Sequence, residues 1–296
     1  MLENIPNEIK SGSIELLEKH FGKKVSLISF AFCSGGCINH GGKLTTGQGN
    51  FFLKWNDKKT YPEMFRKELH GLEILAQFQN IAVPKTMGHG EGLTYSYILM
   101  EYIEPGVRSR DYWEVFGQQL ALLHRNSMDE FGLDEDNYIG SLVQKNKPST
   151  SWAEFFMEQR IIPMLKLGRD TGKIDKKTSV HIENVIDGVL NIFPKEKPAL
   201  LHGDLWGGNL ITTQGGLPCL IDPAVYYGHR EADLAFTFLF GGFDASFLKA
   251  YNEIFPLEPN FNERIDLYNV YPLLVHVNLF GTGYLNQVKS IISHFM

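Results

Sequence analysis

His202-Gly203-Asp204-Leu205-Trp206-Gly207-Gly208-Asn209, running on to Ile221-Asp222-Pro223, decides the reading of this chain. It offers a carboxylate at Asp204, an amide five residues later at Asn209, and a second carboxylate thirteen further on at Asp222. Residues 210–213 and 217–221 read as short apolar strands around Gln214-Gly215-Gly216, where glycine supplies the positive φ of a hairpin turn. A hairpin brings its outer ends together, so Asn209 and Asp222 are expected as neighbours able to share one cation on oxygen, the ligand type Mg²⁺ prefers. The plainer reading is a turn Asp, a capping Asn and a surface Asp.

Composition sets the limits around that stretch. The 296 residues are enough for one large or two modest domains, and 43% hydrophobic with 21% charged residues is ordinary for a globular protein. A net charge of −6 gives no support to nucleic acid or an anionic membrane as partner. The start, Met1-Leu2-Glu3-Asn4-Ile5-Pro6, has neither basic flank nor apolar run, so no secretion signal is read there. Residues 267–288 lack acidic and basic side chains, but Asn269, Pro272, His276, Asn278, Gly281 and Gly283 interrupt them, which favours a buried helix and turn over a membrane span. Three cysteines make no disulfide framework and suggest a reducing cytoplasm.

The first hundred residues alternate helix and strand patterns. Helices are expected over 14–21 and 61–78, and strands over 25–33, 43–46, 50–55 and 95–103. Glu104-Pro105-Gly106 closes this part, which places domains at 1–103 and 104–296. Helices then dominate, over 112–126, 151–167, 176–192, 245–254 and 262–279. The expected fold class is α+β, a small sheet-rich lobe joined to a larger helical one.

In Phe51-Phe52-Leu53-Lys54-Trp55, alternation puts Phe52 and Lys54 on one face and the other three on the opposite face. A lysine in a strand apolar on both faces needs a partner. Glu68 falls near the middle of the apolar stripe of the following helix and needs a cation. The two are expected to pair, with Lys54 free to reach nucleotide phosphates. The alternative is a snorkelling lysine and an unrelated glutamate. Gly35 and Gly36 lie in a loop where backbone amides could approach phosphates, though the loop matches neither Gly-x-Gly-x-x-Gly nor the Walker pattern. Cys33, Cys37 and His40 lack a fourth ligand for zinc. Met100, Glu101 and Ile103 end a strand at the domain boundary, where backbone groups of Glu101 and Ile103 could meet an adenine ring. His229, Arg230 and Glu231 read evenly as site wall or structure, Asp233 as a helix cap, and His124 as a satisfied core histidine.

Taken together the residues resemble the fructosamine kinase (ketosamine 3-kinase) family, relatives of aminoglycoside and choline kinases in the protein-kinase-like fold. Besides residues 202–209, the likeness runs through Gly35-Gly36-Cys37-Ile38-Asn39-His40, Phe51-Phe52-Leu53-Lys54, Asp136-Asn137-Tyr138-Ile139-Gly140-Ser141, Trp152-Ala153-Glu154-Phe155-Phe156, Gly228-His229-Arg230-Glu231-Ala232-Asp233-Leu234-Ala235 and Leu279-Phe280-Gly281. It implies an antiparallel N-terminal sheet with one key helix and a mostly helical C-terminal lobe. It also implies ATP and Mg²⁺ as cofactors, and phosphorylation of the 3-hydroxyl of ketosamines, free or on glycated protein lysines, as a deglycation repair. By motif the base falls on Asp204, metal ligands on Asn209 and Asp222, nucleotide contacts on Gly35, Gly36, Lys54 and Glu68, and the hinge on Met100, Glu101 and Ile103. His202, Trp206, His229, Arg230 and Glu231 are the expected substrate side, with Trp206 a wall against the sugar. The family's loop cysteine falls on Cys37, and the resemblance implies that such a loop can form redox-sensitive crosslinks between chains. Gly203 replaces the protein-kinase arginine and Asp222-Pro223-Ala224 replaces Asp-Phe-Gly, so activation-loop phosphorylation is not expected to regulate this chain. The rival readings are a kinase for an aminoglycoside- or choline-like acceptor, and a nucleotide-binding pseudokinase.

Overall fold

A strand with apolar side chains on both faces belongs in the middle of a sheet, and Phe51 to Trp55 lie there. The computed structural model describes residues 1–33 and 39–296. The chain begins with α1 (Asn7–Phe21), β1 (Leu27–Phe32), β2 (His40–Thr46), β3 (Gly49–Asp57), α2 (Met64–Gln77), β4 (Thr86–Glu91) and β5 (Tyr95–Glu101). It continues with α3 (Tyr112–His124), β6 (Asn137–Ile139), β7 (Leu142–Gln144), α4 (Trp152–Phe155), α5 (Ile162–Asp170), α6 (Lys176–Val189) and β8 (Ala199–Leu201). The remainder is β9 (Leu210–Thr212), β10 (Pro218–Leu220), β11 (Tyr226–Gly228), α7 (Arg230–Leu239), α8 (Ala245–Ile254), α9 (Phe261–Phe280) and α10 (Leu285–His294).

Two compact units result. The first holds residues 1–112 and 210–222, the second 113–209 and 223–296. The expected boundary at 103 and 104 differs from this, and the reason is the β9–β10 hairpin. Its backbone is satisfied by the first unit: Leu220 N–H donates to Ala82 O at 2.9 Å, Gly106 N–H to Thr212 O at 3.0 Å, and Ser109 N–H to Gly216 O at 3.1 Å. Residues 104–109 therefore run along the hairpin. The turn takes its positive φ from Gly216, at +79°.

In the first unit, five antiparallel strands run in the order β1-β2-β3-β5-β4, with β3 at the centre. Ile9, Leu17, Phe30, Leu44, Leu53, Trp55 and Leu99 form its core. Helix α1 begins seven residues before its expected start at 14, because Ser11, Gly12 and Ser13 dilute the apolar period. Gly12 is bare since a Cβ there would lie 2.0 Å from the Tyr97 hydroxyl. Glu8 fixes the helix to the β4–β5 turn by accepting the N–H groups of Leu93 (2.5 Å), Thr94 (3.2 Å) and Tyr95 (3.1 Å).

The second unit is mostly helical, with α9 packed against α5, α7 and α10. Residues 267–288 form the end of this buried helix, a turn at Thr282–Tyr284 and the start of α10, as expected. Among the described residues no helix is long and apolar enough to cross a membrane. The single helix expected over 151–167 is instead α4, a π-helical stretch at Phe156–Ile161, and α5. Pro163 has no N–H to give to the preceding turn, and the ladder widens just before it.

Candidate active site

In the first unit, β3 presents Lys54 and α2 presents Glu68 to each other. Lys54 Nζ donates to Glu68 Oε1 at 2.8 Å and to Asp222 Oδ1 at 2.6 Å. Lys54 is only 7% exposed, so this ammonium has exchanged water for two carboxylates. Burial alone would lower its pKa, but Asp222 and Glu68 outweigh that and raise it, so it stays cationic. Burial raises Glu68, with Lys54 opposing and Asp222 adding to the rise. Asp222 has φ of +53°, a left-handed conformation that non-glycine residues seldom adopt. Such strain marks a residue whose side chain must point one way.

In the second unit, the segment from His202 to Asn209 is held from behind by Asp233. Its carboxylate accepts the N–H of His202 at 2.7 Å and of Gly203 at 2.9 Å, and meets His124 Nε2 at 3.2 Å. His124 in turn meets the Tyr251 hydroxyl at 2.9 Å, as suits a buried, satisfied histidine. Asn209 Nδ2 donates to both the backbone oxygen (2.9 Å) and Oδ2 (2.8 Å) of Asp204. These two bonds fix the orientation of both side chains. Trp206 is 38% exposed, and its ring lies over Gly208, where a Cβ would come within 2.2 Å of it. The Trp-Gly-Gly sequence thus has a local steric cause.

Four of the residues expected on the substrate side are buried. His202 is fully buried, its Nδ1 accepting the Asp204 N–H at 3.3 Å. His229 is 1% exposed, stacked on Trp152 at 4.7 Å and bonded to the Tyr268 hydroxyl at 2.9 Å. Burial, with Arg264 and Arg230, pushes its pKa down to about 3, so the ring is neutral. Arg230 pairs with Glu196 at 2.5 Å, and Glu231 is gripped by two nitrogens of Arg264 at 2.6 and 2.7 Å. Each of these polar groups thus has a partner in the interior, as buried polar groups require. Asp233 does not cap α7, for its carboxylate is taken by residues 202 and 203. The Glu101 N–H is bonded to Lys85 O at 2.8 Å, whereas the Ile103 N–H has no protein acceptor among the described residues. Met100 is buried beside it. Gly35, Gly36 and Cys37 lie outside the described residues.

Sequence reasoning missed the support of the segment after Asp222. Asn137 Nδ2 donates to Val225 O at 2.7 Å, and Gln144 Nε2 to Ala224 O at 2.9 Å. Tyr271 O–H donates to Gln144 Oε1 at 2.9 Å. Arg160 is fully buried, its guanidinium 3.9 Å from the Tyr226 ring centre. The one available signal was the set of polar residues in 136–146.

Among the described residues no three His, Cys, Asp or Glu side chains converge as a metal cage. The Asp222 carboxylate in the first unit and the Asn209 amide oxygen in the second are each of the oxygen-ligand type that a hard cation such as Mg²⁺ takes. The fructosamine kinase family profile matches residues 10–296. A probable ketoamine kinase of Synechocystis is 42% identical, over 88% of this chain and 87% of its own. A chloroplastic protein-ribulosamine 3-kinase of Arabidopsis thaliana is 38% identical over 93% and 85%. A Haemophilus somnus crystal structure assigned as a fructosamine-3-kinase superposes with a TM-score of 0.90 at 30% identity, covering 98% of each chain. An aminoglycoside phosphotransferase at 15% identity and a TM-score of 0.61 shows the shared protein-kinase-like fold. By the extent of these matches, the chain belongs to the fructosamine kinase family.

Proposed function

We propose that this protein is an ATP-dependent kinase that phosphorylates the 3-hydroxyl of ketosamines, free or attached to protein lysines. Asp204 orients the acceptor hydroxyl and takes its proton, held in place by Asn209 Nδ2 and by the Asp233 grip on residues 202 and 203. Lys54 stays cationic between Glu68 and Asp222 and meets nucleotide phosphate oxygens. Ile103 offers its N–H to the adenine, alongside Met100 and Glu101, and Gly35 and Gly36 are the further nucleotide contacts in this reading. Asn209 and Asp222 would hold Mg²⁺, which neutralises phosphate charge when bound. Trp206 offers a ring face to the sugar. The free thiols of Cys33 and Cys219 suit a reducing cytoplasm.

The observation that carries this reading is the Lys54–Glu68–Asp222 triad together with the locked Asp204–Asn209 pair, in a member of this family. Transfer from ATP should be measured against ribulosamine and fructosamine adducts, with an aminoglycoside and choline as competing acceptors. Turnover is expected with the adducts. Asp204→Asn should lose at least about a hundredfold in turnover while still binding ATP. Near-normal turnover of that variant would remove Asp204 from its role.

A further inference from the structure

A row of aromatic rings in the second unit continues from Trp206 of the Asp204 loop, and beyond Trp206 it has no part in the site above. Trp206, two residues after Asp204, meets the Phe240 ring edge-on at 6.0 Å. Phe240 lies 4.8 Å from His276, which lies 5.3 Å from Phe280 and 5.0 Å from Tyr284. Phe240 is 40% exposed and Phe280 51%, more than core packing alone would leave. The one imidazole among them has a fixed tautomer. His276 Nδ1 is 2.7 Å from the Pro272 carbonyl oxygen, which can only accept, so Nδ1 carries the proton and Nε2 presents a lone pair. No protein group among the described residues bonds to Nε2. Burial lowers the pKa of His276, against the pull of the Pro272 bond, which favours the neutral acceptor form.

We propose that Phe240, His276, Phe280 and Tyr284 form the subsite for the amine nitrogen of the acceptor and the start of the chain it carries. This rests on the ketosamine reading given above. The nitrogen of a ketosamine is a secondary alkylammonium, a cation with N–H donors. Aromatic faces attract such a cation, and Nε2 accepts one of its protons. The attached alkyl chain then runs over exposed Phe280. In the substrate, the reacting hydroxyl and the amine flank the keto carbon, so an amine subsite must adjoin the base. Trp206 supplies that continuity, being part of the Asp204 loop and in contact with Phe240. A plain sugar would leave this row empty, which makes it the determinant of preference for aminated over unmodified sugars.

Steady-state kinetics with saturating ATP, using fructosyl-propylamine and 1-deoxyfructose as acceptors, tests this. The wild type is expected to favour the adduct at least about tenfold in kcat/KM, the size of one partly desolvated cation–aromatic contact. His276→Phe and Phe280→Ser should shrink that preference to within about twofold, chiefly through the KM of the adduct. Phe280 lies at an exposed helix end, so this variant keeps the test open where His276→Phe folds poorly. An undiminished preference in folded variants would overturn the subsite while leaving the kinase reading intact. Loss of a dimer in Phe280→Ser, with the preference unchanged, would show a self-association face and overturn it equally. Failure of the wild type to phosphorylate the adduct at all would overturn both readings.

Discussion

At Gly203 the φ is +82°, and a Cβ would stand 2.0 Å from the carbonyl oxygen of Ala224. Both constraints act on the residue before Asp204. Gly203→Ala is therefore expected to cost about 2 kcal/mol or more, since the left-handed conformation and the backbone clash add. Melting should fall by roughly 4–8 °C, and turnover at least about tenfold as Asp204 shifts. A variant with unchanged melting and turnover would show that the loop yields freely. The same reasoning explains why Gly203 was read only as a missing arginine. A residue type shows that a position tolerates glycine, whereas the conformation and the opposing carbonyl show that it requires one. Asp222 is the converse case, a non-glycine residue in a left-handed conformation at +53° whose carboxylate reaches Lys54.

Elements carry the Lys54–Glu68 pair, and this pairing was legible because two periodicities pointed at it. Alternation made Lys54 a charge in a buried strand, and the helical period put Glu68 in an apolar stripe. Lys54→Met leaves Glu68 buried without its cation, so a stability loss of about 3–5 kcal/mol is expected in denaturant unfolding. The double variant Lys54→Met/Glu68→Leu should recover most of that stability and none of the ATP-dependent turnover. A double variant no more stable than the single one would show that the pair does not account for the loss. Other elements were not legible. β4 contains Gly88 and Gly90, the latter lying where a Cβ would be 2.3 Å from the Tyr97 hydroxyl, so packing removed the strand signal. The π-helical stretch before Pro163 has an ordinary helical sequence period, because one extra residue per turn leaves little trace over six residues.

Over the whole molecule, buried titratable groups set the response to acid. His229 has its folded pKa lowered to about 3 from 6.5 by burial, Arg264 and Arg230. As pH falls below 6.5 the unfolded chain takes up the proton and the folded one does not. The stability from this site is thus complete above 6.5 and drains at up to about 1.4 kcal/mol per pH unit toward 3. His276 acts in the same sense, and Glu68, whose pKa burial raises, acts in the opposite one. His229→Gln should flatten the fall in melting temperature between pH 6.5 and 4, even if it melts lower at neutral pH through loss of the Trp152 stack. An unaltered slope would mean that other groups govern acid unfolding. The sequence by itself determined the α+β class, the β9–β10 hairpin, the Lys54–Glu68 pair and the family, because each rests on local spacing or on a contiguous motif. Only the tertiary structure decided that the hairpin belongs with residues 1–112, that Asp233 grips the Asp204 loop, and that His202, His229, Arg230 and Glu231 face the interior. Those outcomes depend on which distant backbone or side chain satisfies a buried polar group, and no local pattern encodes that partner.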